Sequence, residues 1–306
     1  MFHVYSDGIV SPFDRLAAIP VPAAGTARQE ERMNVQYDFS DRVVIITGAA
    51  RGVGRAMVRQ FADAGAKVIA ADRDEDGLNE TVDGLGDVAR TVVADISTVD
   101  GAQAIVQAAF DRFGRLDVCV NNAAVAPHAS LFDETVEVWD TVYAVNCRGT
   151  FLMTQAAGKA LRDQGEGGRI INFSSGVSNR GSAGAAAYAS SRAATESFSR
   201  VAAIELAVHD ILVTCVSPGL IDTQPKPLPP SMKDGLSKRI PTLPLARAGE
   251  PEEVGNLVMW LASDASSYAV GHVYAVDGAA GIGTRAGHEI VDEDVRYDWV
   301  TGRTRS

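Results

Sequence analysis

Cysteine is scarce and scattered. Cys119, Cys147 and Cys215 are the 3 in a chain of 306 residues, and no two form a CxxC pair. Such a set argues against a disulfide framework, and two of the three lie inside apolar runs (LDVCV, ILVTCV), so they read as small buried hydrophobes in a reducing compartment. Histidine is thin as well: His3, His128, His209, His272 and His288 have no ligand spacing to cysteine or to one another, so no metal site is expected. No apolar run reaches 18 residues, and the opening segment MFHVYSDGIVSPFDRLAAIPVPAAG lacks a basic stretch followed by an unbroken apolar one. Neither a membrane span nor a secretory leader is expected, and the reading is cytoplasmic. Positive charge is in deficit, with 28 Lys+Arg against 39 Asp+Glu and a net charge of −11. That balance excludes a sequence-independent grip on nucleic acid and an anionic membrane surface as partners.

What is present suits a water-soluble globular protein, 46% hydrophobic and 22% charged. A chain of this length hides roughly 75% of the surface that its unfolded form exposes, so a large core forms without staples. Residues 1–40 carry Pro12, Pro20 and Pro22, show no sustained period and read as an N-terminal extension. Met33 begins a shorter frame that contains everything after it. From Asp41 the pattern turns to short β-branched runs alternating with amphipathic stretches. Strands are predicted at Val43–Thr47, Lys67–Ala71, Thr91–Ala94, Leu116–Val120, Arg169–Phe173, Ile211–Val216 and Val273–Val276. Helices are predicted at Gly52–Ala64, Glu75–Val82, Val99–Phe113, Thr135–Arg162, Ala185–Val208 and Pro251–Ala262. The run VVIIT is apolar throughout, as a strand covered on both faces requires. The expected fold is therefore α/β: one doubly wound parallel sheet of about seven strands with helices on both faces, over residues 41–284. Leu220–Arg247 is too rich in proline to be a regular element of the sheet and reads as a binding loop or lid. Residues 285–306 form a polar tail around Val295, Tyr297, Trp299 and Val300.

The first strand runs into Thr47-Gly48-Ala49-Ala50-Arg51-Gly52-Val53-Gly54, and a helix follows. Glycines at that junction let the backbone turn tightly and approach a pyrophosphate, whose charge meets the open N–H groups of the helix. Asp72 ends the second strand, where a carboxylate accepts hydrogen bonds from ribose hydroxyls and repels a 2′-phosphate. NAD is therefore expected over NADP, although Arg51 and Arg73 pull the other way.

With these features the sequence resembles the short-chain dehydrogenases/reductases, from Asp41 to about Gly283. The glycine turn, Asp95 in VVADI, Asn121-Asn122-Ala123-Ala124, Asn146 in VNCRG, Ser175 in INFSSG, Tyr188-Ala189-Ser190-Ser191-Arg192, Ser217-Pro218-Gly219 and Val276-Asp277-Gly278 all stand in that family's order. The resemblance implies a Rossmann-type fold and hydride transfer between nicotinamide and a secondary alcohol or ketone. It implies that Tyr188 is the general acid or base, that Ser175 polarises the substrate oxygen, and that Asn146 anchors a water relay. It also implies cofactor contacts from Gly48, Arg51, Gly52, Val53, Gly54, Asp72, Arg73, Asp95, Ile96, Asn122, Ala123, Tyr188, Arg192, Pro218, Gly219, Ile221 and Thr223, with Asn121 stabilising the sheet centre. Homodimers or homotetramers built on the two long helices are the assembly it implies.

Two departures matter. Ala124 stands where the family carries glycine, and Arg192 where it carries lysine. Positions 188 and 192 share a helix face, so the cation still lies beside the phenol and favours its ionised form. A guanidinium cannot pass protons, because it stays protonated in proteins. A catalytically impaired protein that senses the nucleotide or acts as a scaffold, and a non-redox enzyme on the same fold, are the alternatives. Substrate contacts are expected from Val125–Ser130, Gly176–Ala187 and Leu220–Leu245, a mixed lining without an obvious charged anchor, which suits a moderately apolar cyclic alcohol or ketone.

Overall fold

The computed structural model describes residues 35–223, 230–283, 296–298 and 303–305. Seven parallel strands make one sheet: β1 (Val43–Thr47), β2 (Lys67–Asp72), β3 (Ala89–Val93), β4 (Val118–Asn121), β5 (Gly168–Phe173), β6 (Ile211–Pro218) and β7 (Val273–Val276). Their spatial order is β3-β2-β1-β4-β5-β6-β7. The connecting helices are α1 (Gly52–Asp63), α2 (Glu75–Val82), α3 (Val99–Phe113), α4 (Val136–Tyr143), α5 (Thr150–Gln164), α6 (Ala186–Leu206), α7 (Pro230–Arg239) and α8 (Pro251–Ala262).

All five residues of β1 are buried, and successive side chains go to opposite cores. Val44 and Ile46 pack with Met57, Phe61, Val254 and Val258 under α1 and α8. Val43 and Ile45 pack with Ile105, Met153 and Leu161 under α3 and α5. This two-sided burial is the reason VVIIT does not alternate. Each such side chain, taken fully from water, contributes about 1.5–3 kcal/mol before the entropy of ordering it. The strand order reverses between β1 and β4, so a crevice opens beyond the carboxyl ends of these two strands.

The structure departs from the sequence expectations in several places. The third strand starts two residues early, at Ala89, and the fourth begins at Val118 and reaches Asn121. The predicted helix over 135–162 is three pieces: α4, a π-helical turn at Ala144–Gly149, and α5. The proline-rich segment holds helix α7, which begins on Pro230, since proline is tolerated in the first turn where its missing N–H has no helical partner. Arg296–Asp298 and Arg303–Arg305 pair as an antiparallel ribbon within the tail, whereas Val295, Trp299 and Val300 lie outside the described residues. Residues 1–34 also lie outside them. The chain divides into Met1–Gln36 and Tyr37–Ser306, and Phe39 is a core residue of the second unit, its ring 4.9 Å from that of Phe61.

Candidate active site

The crevice has a volume of about 930 Å³. Eleven of the expected residues line it: Gly48, Arg51, Gly52, Val53, Asp72, Arg73, Asp95, Ile96, Asn122, Ala123 and Thr223. Its floor is bare backbone. Gly48 has φ +68, and a β-carbon there would stand 2.7 Å from Ala123 Cα; one on Gly54 would stand 1.9 Å from the Gly48 carbonyl oxygen. The turn thus has no room for a side chain at either position. Arg51 provides no side-chain cap to α1 and the first turn of that helix has no acid, so its free N–H groups and positive end face the crevice uncompensated. These features fit a diphosphate.

The loop is braced from behind. Arg55 donates from Nη2 to the Ala50 carbonyl (2.6 Å) and from Nε to Thr81 Oγ1 (3.0 Å), while Thr81 Oγ1 donates to the Ala49 carbonyl at 2.9 Å. Neither residue was singled out from the sequence, where an arginine beside a glycine reads as surface. Asn122, expected to contact cofactor, donates from Nδ2 to the carbonyls of Thr47 (3.0 Å) and Gly48 (3.2 Å), so it also fixes the end of β1. Asn121 occupies the sheet centre, donating to Asn172 Oδ1 at 2.8 Å.

At the other wall, Asp72 Oδ2 accepts from the Ala50 N–H (3.2 Å), and Oδ1 accepts from the N–H groups of Arg73 (2.7 Å) and Asp74 (3.2 Å). Arg73 reaches Asp95, Nη1 to Oδ2 at 3.6 Å. Burial pushes the Asp95 carboxyl up, but hydrogen bonds from Ser97 and the charge of Arg73 bring it below its ordinary value.

Gly54, Asn146, Ser175, Tyr188, Arg192, Pro218, Gly219 and Ile221 are not among the residues lining that crevice. Ser175 follows β5, and Tyr188 and Arg192 share one face of α6. The Arg192 guanidinium carbon lies 5.2 Å from the centre of the Tyr188 ring. Arg192 is 2% exposed; its Nη1 donates to the Phe173 carbonyl at 2.9 Å, and its buried Nε has no protein partner. Burial raises the pKa of Tyr188, yet the charge of Arg192 and hydrogen bonds from Ser175 and Arg192 outweigh it and hold the phenol below the ordinary tyrosine value. The three predicted groups are therefore brought together.

Asn146 is fully buried, and its amide is engaged: Nδ2 donates to the Val125 carbonyl (3.0 Å) and Ser191 Oγ (3.1 Å), and Oδ1 accepts from the Val125 N–H (3.0 Å). The π turn leaves its carbonyl to accept from Thr150 Oγ1 at 2.8 Å and Thr195 Oγ1 at 3.2 Å. Gly219 donates to the Val276 carbonyl at 3.1 Å, and Ile221 pairs with Gly249, which fixes the course of the chain into Thr223. Arg180 donates to the carbonyls of Gly176 and Ala280, so this cation ties two loops together. Glu137, Val138, Thr141 and Val145 also line the crevice, although the sequence drew no attention to them.

Parallel strands, a glycine turn against a helix start, and a serine–tyrosine–cation cluster beyond β5 define a nucleotide-dependent oxidoreductase. The family described as enoyl-(acyl carrier protein) reductase matches residues 48–280. The chain is 38% identical over 241 residues to the 3-oxoacyl-[acyl-carrier-protein] reductase FabG of Thermotoga maritima, covering 78% of this chain and 96% of that one. It is 33% identical over 252 residues to galactitol 2-dehydrogenase of Agrobacterium fabrum, covering 78% and 97%. The crystal structure of 3-ketoacyl-(acyl-carrier-protein) reductase from Brucella melitensis complexed with NADH superposes with a TM-score of 0.74 at 30% identity, covering 80% of this chain and all (100%) of that one. The protein belongs to the short-chain dehydrogenase/reductase family and is a nicotinamide-dependent oxidoreductase. Among the described residues, no helix is long and apolar enough to cross a membrane, and no group of three or more His, Cys, Asp or Glu side chains is placed to hold a metal.

Proposed function

We propose that this protein transfers hydride between NAD(H) and a secondary alcohol or ketone, with Tyr188 handling the proton. The supporting observation is the phenol held below its ordinary pKa with Ser175 and Arg192 upon it. Bound nicotinamide supplies the ring that accepts or gives hydride. Ser175 donates a hydrogen bond to the substrate oxygen, and ionised Tyr188 accepts the hydroxyl proton in oxidation or returns it in reduction. Arg192 supplies a field that favours the ionised phenol. Because guanidinium does not deprotonate, the proton leaves Tyr188 by a path that avoids Arg192. Asn146 holds the loop at Val125 against the π turn; with its amide engaged, a relay through that side chain forms no part of this proposal.

Asp72 supports NAD: its side chain lines the crevice wall, and Arg73 is drawn toward Asp95 instead of toward a 2′-phosphate. The deciding experiment follows nicotinamide absorbance with a panel of secondary alcohols and ketones, beside titrations with NADH and NADPH. Turnover with tighter NADH binding is expected. Tighter NADPH binding overturns the cofactor assignment, and NADH binding without turnover on any panel member points to a sensing or scaffolding protein. The same assay checks the role of the cation. Burial raises the phenol's pKa, so Arg192→Gln leaves only the Ser175 hydrogen bond to oppose it, and the rising limb of alcohol oxidation against pH moves to higher pH. Turnover at neutral pH falls by about tenfold or more. An unmoved limb removes arginine from the mechanism.

Assembly as a homodimer or homotetramer is part of this reading. The outer faces of α5 and α6 expose Phe151, Val201 and Ile204, the last at 76%, which suits helix-on-helix packing between copies. Light scattering on the purified protein tests it, with a monomer as the overturning result.

A further inference from the structure

Ser175 and Tyr188 sit on separate elements, a turn and a helix, so something must hold the two hydroxyls in register. On α6, Tyr188, Arg192 and Glu196 follow one another at intervals of four, which puts them along one face. Glu196 is half-buried, and its Oε1 accepts from Ser174 Oγ at 2.7 Å and from Ser178 Oγ at 2.5 Å. Ser174 immediately precedes Ser175, and the Ser178 N–H donates to the Ser175 carbonyl at 2.9 Å. One carboxylate oxygen therefore grips the turn on both sides of Ser175 and binds it to the helix that carries Tyr188. Bonds to an ionised acceptor are roughly twice as strong as neutral ones, and Ser174 is itself 3% exposed, so the link is dry on one side. Other bonds tie the same turn to the sheet: the Ser174 N–H donates to the Val216 carbonyl at 2.7 Å and the Gly176 N–H to the Pro218 carbonyl at 3.3 Å. They fix the turn to β6, whereas the carboxylate fixes it to α6, the element that carries Tyr188.

We propose that Glu196 is a positioning residue that aligns the Ser175 hydroxyl with Tyr188 by clamping Ser174 and Ser178 to α6. The proposal rests on the hydride-transfer reading above, and its test separates the two. Steady-state kinetics are measured for the full chain carrying Glu196→Leu, Glu196→Gln, Ser178→Ala, Ser175→Ala and the Ser175→Ala/Glu196→Leu pair, with NADH affinity and melting temperature alongside. Glu196→Leu is expected to lower kcat by about 10- to 100-fold, the cost of a small misplacement, with KM for NAD+ unchanged. Glu196→Gln keeps an acceptor oxygen and is expected to recover most of the loss. Ser178→Ala, which removes one link and no charge, is expected to give an intermediate fall in kcat and keeps the test decisive if the leucine variant does not fold. In the double variant, Ser175→Ala should add little, because the hydroxyl it removes is already misaligned. Full kcat in Glu196→Leu, or losses in kcat, NADH affinity and melting temperature that track one another, overturn the clamp. If Ser175→Ala itself leaves kcat intact, the hydride-transfer assignment fails first.

Discussion

Replacing Tyr188 with phenylalanine is expected to lower kcat for alcohol oxidation by roughly 10³-fold while leaving NADH affinity nearly unchanged. The substitution keeps the aromatic ring, and with it the face against which the Arg192 guanidinium lies at 5.2 Å. What disappears is the hydroxyl that takes the proton. Positioned acid–base groups contribute about 10²–10⁴-fold, and no other group in the cluster replaces this one: Ser175 has an ordinary hydroxyl, and Arg192 stays charged. The variant should fold, because Arg192 keeps its bond to the Phe173 carbonyl and Ser175 is partly exposed. Single-turnover absorbance at saturating NAD+ reads the result directly. Retained turnover would mean that the proton is handled elsewhere, and the site assignment would have to be abandoned.

Gly54→Ala is expected to weaken NADH binding by at least about 100-fold, the equivalent of about 2.8 kcal/mol. Two effects oppose each other at this position. In a helix interior, alanine is favoured over glycine by about 1 kcal/mol, which taken alone stabilises α1. The new methyl group, however, would lie 1.9 Å from the Gly48 carbonyl oxygen and 2.9 Å from Asn122 Nδ2. Neither neighbour is the free end of a flexible chain; one is backbone, and the other is tied to Thr47 and Gly48. The clash therefore wins, and the helix start moves away from the strand end it must meet. Calorimetric titration with NADH measures the loss; binding within threefold of the parent would show that the turn does not need this close approach. Gly283→Ala serves as the control, since its φ is not positive and nothing lies within 4 Å of a β-carbon there.

Local periodicity made most of the sheet legible. Apolar runs such as VVIIT are the direct result of burial on both faces, and the residues that contact one another in a strand or a helix turn are neighbours in the chain. The π turn around Asn146 was not legible, because the hydrogen bonds that favour it come from Thr195, 49 residues away, and from the loop at Val125. Helix α7 was hidden by the prolines around it, since a proline at the first position starts a helix as readily as one further in breaks it.

Residue type and order alone carry the class of fold and the glycine turn, and they pick out Ser175, Tyr188 and Arg192 as candidates. How these groups lie against one another comes from the packing of distant segments. The field of Arg192 and the bonds from Ser175 and Arg192 to the phenol prevail over the burial of Tyr188, Asn146 spends its amide on the Val125 loop, and Glu196 grips Ser174 and Ser178. Each outcome depends on distances between segments that the chain keeps far apart. Coulomb and hydrogen-bond energies fall steeply over a few ångströms, and no pattern along one dimension encodes that closeness.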